Sequence, residues 1–124
     1  MPRHNFPAIL LLLLLMACNP SPVDKPVRFI PHDEMVAIMT DIQLADAYIT
    51  DLKAKGADAK DITTRMHDSV FMLHGIERKI FDENLVWYSA NIEELDKVYT
   101  EIISNLEHLK AQDSIAQQPA GPKK

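Results

Sequence analysis

Cysteine and glycine are nearly missing from this chain: it has one cysteine, Cys18, and three glycines in 124 residues. A lone cysteine excludes any disulfide within one chain and any paired-cysteine zinc spacing. With so few glycines there is no Gly-rich phosphate loop, and no nucleophile elbow occurs. Clustered positive charge is also lacking. Thirteen basic residues stand against eighteen acidic ones, and the basic ones adjoin only as the pairs Arg78-Lys79 and, at the tail, Lys123-Lys124, so the chain has no electrostatic footprint for nucleic acid or anionic head groups. No stretch alternates with period two for long enough to make a strand.

Long apolar runs occur once, at the start. Arg3 precedes an unbroken apolar run from Ala8 to Ala17, and Leu15-Met16-Ala17-Cys18 closes it with a small residue before the thiol. A membrane helix needs about 20 apolar residues, so this run reads as an export signal rather than a span. The pattern resembles the lipobox of bacterial lipoproteins, in which the cysteine sulfur takes a diacylglycerol and the new amino terminus is acylated. Residues 1–17 are thus expected to be a signal peptide and Cys18 the lipidated residue. Removing Arg3 leaves twelve basic and eighteen acidic residues, a formal charge of −6. Membrane attachment is then expected from acyl chains on Cys18 alone.

Pro20, Pro22, Pro26 and Pro31 favour an extended tether over residues 18–31, reaching roughly 40 Å at about 3 Å per residue. At the other end, residues 111–124 carry Pro119, Gly121, Pro122 and several glutamines. They read as a disordered polar tail. The fold must come from residues 32–110.

Four helices are predicted there. Met35, Ile38, Ile42, Ala45, Ile49 and Leu52 recur at steps of three and four, after Pro31 with Asp33 and Glu34 in the first turn, and Gly56 supplies a stop. Ile62, Met66, Val70 and Leu73 line a second helix, with Asp61 as its cap and Gly75 as a left-handed terminator. A third, near 77–89, puts Phe81, Leu85 and Tyr88 on one stripe and Ile80, Asn84 and Trp87 on the next. Asn91 and Glu94 have capping-box spacing, opening a fourth helix along Ile92, Leu95, Tyr99, Ile102, Leu106 and Leu109. Short connections make successive helices antiparallel neighbours in a small all-α bundle of three or four helices. A domain of about 80 residues buries only about 60% of its unfolded surface, so self-association or a partner surface is expected to support it.

Titratable residues do not converge on a reaction. His67 and His74 lie two turns apart, about 10 Å along one helix, too far for a single tetrahedral ion. Acidic residues at 41, 46 and 51 advance about 140° each and spiral around theirs. No catalytic residue, metal or cofactor is expected, and His32 beside Asp33 and Glu34 reads as a helix entrance. The most distinctive local feature is Trp87 next to Tyr88. Adjacent positions point about 100° apart, so only one ring can sit fully in the core. Core packing of Trp87 against the first helix is the plain reading, while Ile80 and Trp87 as the lip of a groove are the candidate interaction surface.

The order His74-Gly75-Ile76, Phe81-Asp82, Leu85-Val86-Trp87-Tyr88, then Leu95 to Val98-Tyr99, resembles the Bacteroidetes lipoproteins grouped as domain of unknown function 4296. Met35-Val36, Asp41-Ile42 and Leu44-Ala45-Asp46-Ala47-Tyr48 extend the likeness, which covers roughly residues 30–110. The resemblance implies a lipoprotein plan and no established activity, so it carries over no catalytic residue. For a bacterial lipoprotein, Asn19 after the cysteine and a solitary Asp24 imply the periplasmic face of the outer membrane.

The expected function is therefore a lipid-anchored, non-enzymatic module of the cell envelope that binds an envelope protein or itself. A carrier or sensor of a small apolar ligand is the alternative, with Ile80 and Trp87 lining a cavity between helices.

Overall fold

A computed structural model describes residues 22–58 and 60–117. Four helices follow one another: α1 (His32–Ala54), α2 (Lys60–Leu73), α3 (Arg78–Ala90) and α4 (Ile92–Ala116). The protein is all-α, as the periodicities require. Helix α1 packs along both α2 and α4, and α3 packs on α4.

Local chemistry sets most of the helix ends. Pro31 is the N-cap of α1, its carbonyl accepting the Met35 amide at 2.9 Å, with Asp33 and Glu34 in the first turn. Gly56, at φ 86°, ends α1, its amide reaching the Lys53 carbonyl while that of Ala57 reaches Leu52. Gly75, at φ 64°, repeats the arrangement on α2, with the Gly75 amide on Met72 and the Ile76 amide on Phe71. Both are Schellman endings, which need a residue that tolerates the left-handed region. Ile76 and Phe71 then enter the same buried cluster.

Two expected caps are built differently. Asp61 lies inside the first turn of α2 and is not its cap, because the helix already includes Lys60. Asn91 and Glu94 form no capping box. The Asn91 side chain instead donates back to the Trp87 carbonyl at 2.7 Å, and its amide reaches Trp87 and Tyr88, closing α3. Its own carbonyl accepts from Glu94 and Leu95, and the Glu94 carboxylate takes Lys97 at 2.6 Å. One residue thus serves two helices.

Packing selects among apolar edges that periodicity left equivalent. In α2 the larger Phe71 is buried, while Leu73 is 76% exposed. In α4 the core side is Val98 and Ile102, with Leu95 and Leu106 half-buried, so Ile92, Tyr99 and Leu109 of the expected stripe remain exposed.

Helices α1 and α2 are antiparallel, since His67 meets Asp46 and His74 meets Asp41, the number falling along α1 as it rises along α2. Helices α2 and α3 are not a side-by-side pair. They meet through the Phe71 and Phe81 rings, 5.1 Å between centroids, and the Arg78–Asp68 ion pair at 2.8 Å.

The boundaries of the folded unit move outward at both ends. The tether expected over 18–31 is already part of the domain at its end: Phe29 packs against the core and Ile30 is buried in it. Residues 111–116, expected in the tail, continue α4. Once a helix is nucleated on a core, Ala111, Gln112 and Ala116 propagate it at little cost. The signal peptide, Cys18 and residues 118–124 lie outside the described residues.

Candidate functional site

Helix α3 presents Asn84, Trp87 and Tyr88 toward the N-terminal segment. Asn84 is fully buried and saturated. Its Oδ1 accepts the Ile30 amide at 2.7 Å, and its Nδ2 donates to the Arg28 and Ile80 carbonyls at 2.8 Å each. The Tyr88 hydroxyl donates to the Ile30 carbonyl at 3.0 Å. An extended strand of chain entering a core must have its amides and carbonyls paired. Asn84 and Tyr88 supply those partners. Burial pushes the Tyr88 phenol above its ordinary range, and Glu94 adds to the push.

Trp87 and Ile80 are half-buried against the core. Trp87 stands edge-on to Phe29, 4.9 Å between centroids at 81°, and edge-on to Tyr88 at 5.1 Å. Lys25 Nζ sits 4.0 Å above the Phe29 ring and 5.3 Å from that of Trp87. At Trp87 the expected groove lip is thus covered by the chain's own Phe29 and Lys25. Trp87 packs on this segment as well as against the core cluster to which α1 contributes. The sequence signal for this docking is an apolar pair, Phe29-Ile30, inside a proline-rich stretch, together with a polar Asn84 on an apolar stripe.

The histidines knit helices together. His67 and His74 bond Asp46 and Asp41 at 2.7 Å each, across α1 and α2, and His32 bonds Glu101 of α4 at 2.9 Å. Asp41 and Asp46, about 140° apart on α1, both meet α2 through these two imidazoles. No group of three or more metal-ligating side chains converges among the described residues.

An open depression of about 570 Å³ lies between α1 and α4, lined by His32, Glu94, Asp96, Lys97 and Glu101 among others. Its charges are largely compensated within it. The Lys97 ammonium beside Glu94 holds that carboxyl below its ordinary range, and Glu94 in turn raises Lys97. Its lining residues are all charged or polar in type and it lies wide open to solvent, unlike the enclosed cavity an apolar ligand needs.

Apolar surface is exposed on α4 instead. Ile92, Tyr99 and Ile103 are 68%, 42% and 57% exposed. Spaced seven and four apart, they fall within about 40° of one another around the helix. Half-buried Leu95 and Leu106 join this stripe to the core.

The family model described as "Domain of unknown function (DUF4296)" matches residues 26–112. The chain belongs to the DUF4296 family. The DUF4296 match begins at Pro26, inside the segment docked on α3, and ends within α4. It therefore takes in Phe29 and Ile30 together with all four helices. No curated protein and no solved structure matches the chain. Among the described residues, no helix is long and apolar enough to cross a membrane.

Proposed function

We propose that this DUF4296 protein is a lipid-anchored, non-enzymatic helical module that binds another protein of the cell envelope. The exposed Ile92–Tyr99–Ile103 stripe of α4 carries the reading. Contiguous apolar surface of this kind on a small domain is the ordinary mark of a contact face. The anchor rests on the apolar run before Cys18. Among the described residues, Arg28 is the first whose backbone is hydrogen-bonded to α3, and nine residues separate it from Cys18. Extended, they reach about 30 Å, so the domain works close to the membrane surface.

Two measurements test this. Cys18→Ser should move the protein out of the membrane fraction with its helical circular dichroism retained; a variant still bound to membrane would overturn the anchor. A photocrosslinker placed at Tyr99 in the intact envelope should give one defined protein adduct that Ile103→Asn abolishes. Copurified lipid with no protein adduct would overturn the interaction reading in favour of an apolar-ligand carrier.

A further inference from the structure

The α4 stripe has two unlike edges. On one side Leu95, Leu106 and Ile102 pass into the core. On the other, about 60° to 120° from Tyr99 around the helix, come Asp96, Glu107 and Glu93, all exposed. The two lysines of α4 form no ion pair with Asp96 or Glu107 among the described residues, while Lys97 lies within electrostatic reach of Glu93. Lys97 is on the far side of the helix, bonded to Glu94. Lys110 follows the stripe itself, one turn beyond Leu106, and closes its end. The free edge of the apolar surface is therefore acidic, its charge carried chiefly by Asp96 and Glu107.

We infer that this face takes an amphipathic helix of a partner protein, apolar on the contacting side and flanked by lysine or arginine. The inference rests on the interaction reading above and specifies its partner. The stripe spans Ile92 to Leu106, about 21 Å along the axis, which suits about four turns of a second helix. Apolar anchors at three- and four-residue spacing would lie on Ile92, Tyr99 and Ile103. The flanking cations would meet Asp96 and Glu107.

Charge also decides against a second copy of this chain. The apolar residues read alike in both directions, with Ile92 facing Leu106, Leu95 facing Ile103 and Tyr99 facing itself in an antiparallel pair. A two-fold axis, however, sets the same edge of each helix side by side. Glu93 would then lie beside Glu107 of the other copy, with the two Asp96 residues about 9 Å apart along the axis, and like charges across an interface disfavour it.

The test uses the full mature chain carrying Cys18→Ser, which keeps acyl chains out of the assay. Three fluorescent 18-residue peptides are titrated: a leucine-faced helix flanked by lysine, the same helix flanked by glutamate, and a scramble of the lysine peptide. The lysine-flanked helix should bind at least tenfold more tightly than either of the others. Ile103→Asn should weaken it at least tenfold, and Asp96→Lys with Glu107→Lys should turn the preference to the glutamate-flanked helix. These positions are exposed, and circular dichroism checks that each variant keeps its helices.

Equal binding of the scramble would reduce the effect to net charge and overturn the inference. An unchanged preference after charge reversal would overturn it as well. A wild-type dimer in sedimentation that Ile103→Asn dissociates would make the second copy the occupant. If no peptide binds but the Tyr99 crosslink still captures its protein, the partner chemistry fails and the interaction reading stands. If the crosslink fails too, both fall.

Discussion

The Ile30 amide donates to Asn84 Oδ1 at 2.7 Å across 54 residues of chain, and this contact helps turn a proline-rich segment into part of the fold. Asn84 Nδ2 donates to Arg28 on the same segment. A side-chain amide thus does what a neighbouring strand would do in a sheet, pairing one N–H and one C=O of an extended backbone.

Asn84→Ala should cost about 2 to 4 kcal/mol, because it leaves the Ile30 amide and the Arg28 carbonyl without the partner they have in the buried site. Urea denaturation followed by circular dichroism measures it. Asn84→Asp keeps the acceptor for Ile30 but points a carboxylate at the Arg28 and Ile80 carbonyls. That variant should gain stability as pH falls, since only the protonated acid can donate to a carbonyl.

Tyr88→Phe removes one hydroxyl, the 3.0 Å donor to the Ile30 carbonyl, and leaves the ring in place. The expected loss at pH 7 is about 1 kcal/mol. The alkaline limb separates the hydroxyl's ionisation from its packing. Burial, with Glu94 behind it, raises the Tyr88 pKa above 10.0 in the folded protein, so the native state holds the phenolic proton more tightly than the unfolded chain. The resulting stability is fully present below pH 10 and is lost as pH rises through the raised value. Between pH 8 and pH 11 the wild type should therefore lose more stability than Tyr88→Phe.

Gly75→Ala should destabilise by about 1 kcal/mol, a fall of roughly 4 to 8 °C in Tm for a domain of this size. A Cβ there would meet nothing within 4 Å, so the penalty is the backbone's alone, at φ 64°. Asparagine, which tolerates the left-handed region, should recover part of it. Thermal melts of the two variants decide this.

The two imidazole–aspartate contacts between α1 and α2 are open to double-mutant cycles. His74→Ala with Asp41→Ala, and His67→Ala with Asp46→Ala, should each return a coupling of about 0.5 to 1 kcal/mol. Because the histidines stand about two turns apart along α2, the two couplings should add to within about 0.5 kcal/mol. Strong non-additivity would mean that α2 shifts as a body when either contact is lost.

By itself, the sequence determined what depends on near neighbours. Four helices, the glycine endings at Gly56 and Gly75, the acidic first turn after Pro31, and the burial of Met35, Ile38, Ala45, Ile49, Phe81 and Tyr88 follow from spacings of three, four and a single residue. These are local because helix hydrogen bonds and caps close within a few residues. Only the tertiary structure decided what crosses long separations. It buried Phe71 in place of Leu73 and Val98 in place of Tyr99, because a helix with more than one apolar edge offers several faces and the neighbouring helices occupy one. It brought Phe29 and Ile30 onto α3, where Asn84 and Tyr88 answer their backbone, and so covered Trp87 with the chain's own segment. The apolar stripe left free on α4 is the residue of those choices. No residue spacing encodes it, because which edge of an amphipathic helix stays exposed is settled only when the other edge has been packed.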